Sequence, residues 1–138
     1  MASFNKYQKG VEALVEGINA GSDTWKIALS NRTPVVATDS NLASAVEISA
    51  GNGYTAGGNT ASVSSSSQTG GTYKLVLNSP STWTATGGSI GPFESAILYD
   101  ATTDNLIGYW DYGSAVTLSD GESFSVVLDG TSGVFTVA

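Results

Sequence analysis

The last third of the sequence alternates apolar and polar residues over short stretches, and this pattern limits the fold more than any other feature. In residues 123–128, Phe124, Val126 and Leu128 alternate with Ser123, Ser125 and Val127. Turn residues such as Asp120-Gly121 separate this stretch from its neighbours. A period of two is typical of half-buried strands, and short strands joined by tight turns are typical of sandwiches and barrels. Residues 91–138 contain no Lys, Arg, His or Cys, and so lack most of the side chains that carry out chemistry at neutral pH. We therefore predict that this part is a structural scaffold and not the site of a reaction.

The composition fits a single domain spanning residues 1–138. The chain is 41% hydrophobic, within the range of globular proteins, but only 12% of its residues are charged. The charged share is about half the usual value for soluble domains. Instead, the sequence contains 20 Ser and 15 Thr residues. Burying a hydroxyl costs much less than burying an unpaired charge, so such a surface suits coverage by neighbouring molecules.

Charge is distributed unevenly along the chain. Residues 1–74 hold all five basic residues and five acidic ones, whereas residues 75–138 hold seven acids and no base, which accounts for the net charge of −7. An acidic half without a compensating basic patch repels phosphate backbones, so we predict no nucleic-acid partner. The sequence has no run of 18 apolar residues, and we therefore predict no membrane-spanning segment.

The N-terminal segment predicts an amphipathic α-helix over residues 3–20. Its apolar residues recur at steps of three and four, which places them on one helix face: Phe4, Tyr7, Val11, Leu14, Val15 and Ile18. Ser3 is the expected N-cap, and Gly21 is the expected end. The apolar face needs cover, which comes either from the sheet of the same domain or from a neighbouring subunit.

Strands are predicted throughout residues 24–138. Thr24–Ser30 alternates as a strand should, and Phe93–Tyr99 is apolar on both faces, which predicts a central strand paired with Leu106–Tyr112. Ala61–Gln68 predicts a polar edge strand, and Leu42–Ile48 predicts either a short strand or a helical turn. The Asp120-Gly121 step predicts a hairpin that pairs residues 116–118 with residues 124–128.

Together these elements predict a mainly β fold. The expected architecture is a single-domain β-sandwich, jelly-roll-like, with eight to ten strands and one N-terminal amphipathic α-helix.

Catalytic residues are scarce in the sequence. With no His and no Cys, no Ser-His-Asp or Cys-His arrangement can form, and a carboxylate pair is the remaining route. The candidates are Glu94, Asp100, Asp111 and Glu122. Carboxylates beside turns usually form those turns, so we predict no catalytic residue and a non-enzymatic protein.

No metal ion or cofactor is predicted either. Residues 100–105 (Asp-Ala-Thr-Thr-Asp-Asn) offer oxygen ligands, but they lack the alternating acidic spacing and the terminal Glu of a calcium loop, and a plain hairpin turn is favoured. The glycine-rich residues 50–59 are not followed by the Lys-Ser/Thr step of a phosphate-binding loop, which excludes that motif.

Aromatic residues provide the candidates for partner contact. Trp25 and Trp110 alternate with polar neighbours and are expected in the core. Trp83 and Tyr54 lie near glycine-rich loops and are expected to be exposed, where they would be available to a partner or to a sugar ring. With the residues of the N-terminal segment, the candidate partner-contact set is Phe4, Tyr7, Val11, Tyr54 and Trp83.

Several motifs resemble small virion proteins of tailed bacteriophages. The motifs are Gly-Pro-Phe at 91–93, Ala-Ile-Leu-Tyr-Asp at 96–100, Leu-Ile-Gly-Tyr-Trp-Asp-Tyr-Gly at 106–113 and Val-Thr-Leu-Ser-Asp-Gly-Glu-Ser-Phe at 116–124. Residues 2–7, 21–31 and 51–60 are similar to the same family. These motifs are strands and turns, so they indicate a lineage and no particular binding residue.

The resemblance implies a structural protein of the virion. The favoured expectation is a head decoration (cement) protein on the capsid surface, made in the host cytoplasm, whose partners are the major capsid protein and copies of itself. A trimer is a common form of such a homo-oligomer at the three-fold positions of a capsid. The alternative is a tail-associated or receptor-binding module that recognises host-surface carbohydrate.

Overall fold

A computed structural model describes residues 3–138, which form ten strands and two helices. The strands are Phe4–Lys6 (β1), Trp25–Ser30 (β2), Asn59–Thr60 (β3), Val63–Thr69 (β4), Thr72–Leu77 (β5), Trp83–Thr84 (β6), Ile90–Asp100 (β7), Asn105–Leu118 (β8), Ser123–Phe124 (β9) and Phe135–Val137 (β10). The helices are Gln8–Glu16 (α1) and Leu42–Ala45 (α2). Neither helix of this part of the chain is long and apolar enough to cross a membrane.

The strands form two layers around one main core. The first layer is an antiparallel five-stranded sheet in the order β1-β8-β7-β2-β3. The second layer contains the three-stranded sheet β10-β5-β4 and the two-stranded sheet β6-β9. Trp25, Leu75, Leu77, Trp83 and Leu98 are buried in one cluster drawn from both layers. The mainly β, sandwich-like fold predicted from the alternation is therefore confirmed.

Strand β7 occupies the middle of the five-stranded sheet, as predicted. It pairs with β8 on one side and β2 on the other, and Leu98 and Ile97 point to opposite faces. Leu98 joins the main core, whereas Ile97 joins a second cluster on the outer face. Ala45 of α2 belongs to that second cluster, so α2 helps to cover the outer face.

The N-terminal helix is shorter than predicted. Residues 3–20 do not form one helix: Phe4–Lys6 is a strand that pairs antiparallel with β8, and α1 spans only Gln8–Glu16. The Phe4 ring lies 4.7 Å from the Trp110 ring, and the Tyr7 amide donates to the Ile107 carbonyl over 3.0 Å. These contacts with β8 favour the extended backbone over the helical pattern, so the predicted caps at Ser3 and Gly21 are wrong.

The predicted apolar stripe on this helix is only partly covered. Gly10 is buried, and Leu14 packs against the main core. Val11 and Val15 are 46% and 84% exposed. The short helix meets the sheet along one edge, which leaves the two valines facing solvent.

The predicted hairpin around Asp120-Gly121 is wrong, although the turn itself is present. The Glu122 amide donates to the Ser119 carbonyl over 2.8 Å, but β9 pairs with β6, while β8 pairs with β7. The Gly121 amide donates to the Ala85 carbonyl over 2.7 Å, and Asp120 Oδ1 accepts from the Gly87 amide over 3.1 Å. These bonds tie the turn to β6 and carry the chain from one layer to the other.

Two other predictions are confirmed. The polar segment forms β4, which lies at the edge of its sheet. Residues 42–48 combine both alternatives: α2 is a helical turn capped by Asn41, and Glu47 then forms an isolated bridge with Ser30.

Candidate functional site: an uncharged hydroxyl face

The outward side of the second layer is covered with exposed hydroxyl side chains. Because Leu75, Leu77 and Trp83 point into the core, the residues that alternate with them point outward. We call this surface the hydroxyl face, and its exposed residues are Ser65, Ser67, Thr69, Thr72, Thr82, Thr84, Ser123, Ser125 and Thr136.

The strand register assembles the hydroxyl face from segments that are distant in sequence. Ser67 lies opposite Lys74, and Thr136 lies opposite Lys74 on its other side, so β4, β5 and β10 contribute one row each. The half-buried Lys74 ammonium donates to the Thr131 carbonyl over 2.8 Å, which holds this charge against the protein. Lys74 is the one charged side chain among the outward positions of β4, β5 and β10, and its ammonium has a hydrogen-bond partner within the protein, so covering the face would cost little in desolvation.

Two hydroxyl pairs connect β6 with the neighbouring β9 segment. Thr82 Oγ1 lies 2.7 Å from Ser125 Oγ, and Thr84 Oγ1 lies 2.9 Å from Ser123 Oγ. Each hydroxyl both donates and accepts, so these pairs hold their side chains in place and keep spare hydrogen-bonding capacity for a partner. Sequence reasoning missed them because it paired residues 124–128 with β8; the Thr-x-Thr and Ser-x-Ser spacings were the available signal.

Three of the predicted contact residues are buried. Tyr7, Tyr54 and Trp83 are 0%, 2% and 1% exposed, so the expected exposure of Tyr54 and Trp83 is wrong. The Tyr54 hydroxyl donates to Glu47 Oε2 over 2.6 Å and accepts from the Leu29 amide over 3.0 Å. Burial and the hydrogen bond to Glu47 raise the pKa of Tyr54 well above its usual value. Tyr54 therefore anchors the glycine-rich loop to the core.

The structure also tests the predictions for Trp25 and Trp110 and for the remaining contact candidates, Phe4 and Val11. Trp25 and Trp110 lie in the core, as predicted, with 1% and 9% exposure. Phe4 is half-buried against Trp110, and Val11 is the most exposed of the five contact candidates. An aromatic sugar platform built from Trp83 and Tyr54 is absent from residues 3–138.

The four candidate carboxylates each accept a hydrogen bond within the fold. Glu94 Oε1 accepts from the Thr33 hydroxyl, Asp111 Oδ1 accepts from the Gly113 amide and Glu122 Oε1 accepts from the Ser119 amide, at 2.8, 2.9 and 2.7 Å. Asp111 lies opposite Ser95, five positions along β7 from Asp100, which is about 16 Å at the usual strand rise. That separation exceeds the spacing of a hydrolytic carboxylate pair, about 5–10 Å.

Asp100 is the one carboxylate in an unusual environment. It is fully buried, and its Oδ1 accepts from the amides of Thr102 and Thr103 at 2.8 and 3.2 Å. Its Oδ2 has no hydrogen-bond donor within residues 3–138. Trp25 lies opposite Asp100 in the register, so Asp23 lies diagonally beside it. Burial, followed by the Asp23 carboxyl group, raises the pKa of Asp100 to about 6.

The turn at residues 100–105 uses its oxygens for backbone contacts. Besides the two bonds to Asp100, Asp104 Oδ1 accepts from the Leu42 amide at 3.0 Å. Within residues 3–138 no cluster of three acidic, His or Cys side chains is placed to hold a metal ion.

A cleft of about 380 Å³ lies between residues 46–52 and 89–92. Glu47 is the one ionisable side chain that lines it, and this carboxylate already accepts from the Tyr54 hydroxyl and from the Gly57 amide at 2.6 and 2.5 Å. A single occupied carboxylate offers no acid–base pair, so the hydroxyl face is the stronger candidate site. No protein-family model, no curated protein and no solved structure matches this chain.

Proposed function

We propose that this chain is a non-enzymatic structural protein of a tailed-phage virion, and that it decorates the outer surface of the capsid. The observation that carries the proposal is the hydroxyl face: nine exposed Ser and Thr side chains on the outward side of the second layer, with Lys74 as the charged neighbour. The resemblance of the strand and turn motifs to small phage virion proteins supports the same conclusion.

The physical basis is the low cost of covering such a face. Each hydroxyl can exchange its water for a partner's backbone or side-chain group, and none leaves a buried unpaired charge. A decoration protein binds in many copies, so each interface can be modest while the lattice holds the whole layer. A protein that binds only the assembled shell stabilises that shell by mass action.

The test is to add purified protein to capsids assembled without it and to image them by cryo-electron microscopy. We expect ordered density at lattice positions, with the hydroxyl face against the major capsid protein, and greater resistance of the shell to heat. Bare capsids would contradict the proposal, and so would density in which the hydroxyl face points to solvent.

Two matched double variants distinguish binding through the hydroxyl face from a general effect of surface charge. Thr72→Glu and Thr84→Glu together place two carboxylates on the hydroxyl face, and we expect them to abolish capsid binding. Ser114→Glu and Thr117→Glu add the same charge at exposed positions of β8, away from the hydroxyl face, and should leave binding intact. An equal loss of capsid binding in both double variants would indicate a general effect of charge and would contradict a contact made by the hydroxyl face.

A further inference from the structure

Asn52 and Gly53 form the two-residue turn of a short hairpin in the glycine-rich loop. The Gly51 amide donates to the Tyr54 carbonyl over 2.8 Å, and the Tyr54 amide donates back to the Gly51 carbonyl over 3.1 Å. The φ angles of the two turn residues are 57° and 106°. A hairpin turn with two positive φ angles favours Asn followed by Gly. We call residues 51–54 the Asn52 hairpin.

The Asn52 hairpin is joined to residues 86–89 through Asn52 itself. Its side-chain Nδ2 donates to the Ser89 carbonyl over 3.0 Å, and its backbone carbonyl accepts from the Thr86 amide over 2.9 Å. The side chain also packs against Gly88, where an added Cβ atom would lie 2.6 Å from Nδ2. The contact with Ser89 depends on the side-chain amide, because a carboxylate has no proton to donate.

Asn52 is also the one Asn in the chain that precedes a glycine. Asn is a thermolabile residue, and it reacts when the backbone nitrogen of the next residue attacks its side-chain carbonyl carbon. Glycine in that next position has no side chain to hinder the attack. Asn52 and Gly53 are both exposed to water, and within residues 3–138 the Gly53 amide donates to no other group. The attacking nitrogen is therefore available.

The fold itself requires the reactive pair. A Cβ atom at residue 53 would overlap the Thr84 carbonyl oxygen, and the positive φ angle there disfavours any side chain. Glycine at position 53 thus serves the packing of the loop, and the lability of the preceding Asn follows from it.

We propose that Asn52 deamidates spontaneously, and that its conversion releases the Asn52 hairpin from residues 86–89. The Gly53 nitrogen attacks Asn52 Cγ and forms a bond to it, which closes a five-membered imide ring. The bond between Cγ and Nδ2 breaks, and Nδ2 leaves as ammonia with the proton of the Gly53 amide. Exposed turns open locally at a small cost in free energy, which frees the side chain for this step.

Water then opens the imide ring at one of its two carbonyl carbons. Addition of water at Cγ restores the ordinary backbone and gives aspartate at position 52. Addition at the former backbone carbonyl carbon gives isoaspartate, in which the chain runs through Cβ and Cγ. In both cases the carbon gains the hydroxyl group and the Gly53 nitrogen regains a proton.

Either product weakens the contacts that hold the hairpin. The new carboxylate cannot donate to the Ser89 carbonyl, so that hydrogen bond is lost. In isoaspartate the backbone gains one carbon atom, and the oxygen that accepted from the Thr86 amide belongs to the free carboxylate, so the geometry of this bond is lost as well. The reaction needs only this chain and water, so it does not depend on the virion role.

The first experiment follows the full-length chain by peptide mass mapping during incubation in mildly alkaline buffer. A sample unfolded in urea shows how long an unrestrained Asn52 takes to convert. Over several times that period we expect the folded chain to lose intact Asn52 while Asn59 stays intact. Asn59 is the matched control, because its Nδ2 also donates to a carbonyl, that of Ser81 at 2.8 Å, but the β-branched Thr60 follows it.

The second experiment tests the release of the hairpin. The converted chain carries one more negative charge, so anion exchange separates it from the unconverted chain. We expect faster hydrogen exchange at the Thr86 amide in the converted fraction. The Ala85 amide, which donates to the Glu122 carbonyl over 2.9 Å, should exchange at an unchanged rate.

The variant Asn52→Gln separates deamidation at this residue from other changes during incubation. Attack on the longer side chain would have to close a six-membered ring, which forms much less readily, so we expect no converted fraction from this variant. Intact Asn52 in the folded chain, equal conversion of Asn59, or unchanged exchange of the Thr86 amide in the converted fraction would each overturn the proposal.

Discussion

At the scale of single residues, Asp100 is the side chain most sensitive to pH. Its carboxyl group is fully buried beside Asp23, and its pKa is raised to about 6 from an ordinary value of 3.8. The folded chain therefore binds a proton more tightly than the unfolded chain between these two values. The protonated carboxyl can donate to Asp23, whereas two ionised carboxylates would repel each other.

The sign of the pH effect follows from this shift. The stabilising contribution of Asp100 is fully present below about pH 4 and is lost as the pH rises through about 6. We expect Asp100→Asn to remove this contribution to the pH dependence, because the amide keeps a donor toward Asp23 at every pH. Thermal unfolding measured from pH 4 to 8 for the wild type and the variant tests it. Glu16→Gln, on the exposed part of α1, is the control and should follow the wild type.

At the scale of elements, the packing of α1 against β8 depends on a close approach. A Cβ atom at Gly10 would lie 2.5 Å from the Leu106 carbonyl oxygen and 3.1 Å from the Ile107 Cα. Both neighbours are backbone atoms of β8, so they cannot rotate away. Gly10 is thus a residue that the helix needs for tertiary contact, despite the poor helix propensity of glycine.

We therefore expect Gly10→Ala to destabilise the domain. Helix propensity alone favours the alanine by about 1 kcal/mol, but overpacking against backbone costs about 1–3 kcal/mol and separates α1 from β8. Urea unfolding of Gly10→Ala and Gly17→Ala measures the balance. At Gly17 the nearest atom to a Cβ is the Ala13 carbonyl oxygen at 3.9 Å, so that substitution should be tolerated. A Gly10→Ala variant as stable as the wild type would show that the helix shifts freely on the sheet.

At the scale of the whole molecule, charge and hydrogen-bonding surface are separated. The net charge of −7 comes from residues 75–138, yet Asp120, Glu122 and Asp129 lie in turns, where their carboxylates accept hydrogen bonds from backbone amides. Asp129, for example, accepts from the amides of Thr131 and Ser132, which lowers its pKa. The acids thus stabilise the turns by accepting backbone hydrogen bonds, whereas Ser and Thr hydroxyl groups cover the outward side of the second layer.

This separation predicts capsid binding that is insensitive to salt. An interface made by the hydroxyl face contains few charges to screen, even though the Debye length falls from about 30 Å at 0.01 M salt to about 3 Å at 1 M. We expect co-sedimentation of the protein with capsids to change little across this range. A steep loss of binding with salt would place the contact on the acidic turns instead.

Local sequence features were sufficient for much of the fold. Alternation predicted β2, the central β7 and its pairing with β8, because a strand with two apolar faces must be covered on both. The buried Trp25 and Trp110 followed from the same period. The absence of His and Cys excluded whole classes of active site without any structure.

Other features depended on contacts between distant segments. Phe4–Lys6 follows the apolar spacing of a helix but forms a strand. Its backbone pairs with β8, and the Phe4 ring packs against Trp110. Tyr54 and Trp83 lie beside glycine-rich sequence, yet both are buried, since the loop folds back onto the core. The Asp120-Gly121 turn forms from local sequence, but hydrogen bonds to Ala85 and Gly87 direct the chain that follows it toward β6.

The sequence by itself determined the β class, the polar edge strand β4 and the scarcity of reactive groups, because period, composition and residue type are properties of the chain. Tertiary structure alone decided the pairs that join distant segments, such as β1 with β8 and β6 with β9. Pairing between segments tens of residues apart follows the total burial of a whole layer, and no local pattern records it. The hydroxyl face is a product of that pairing.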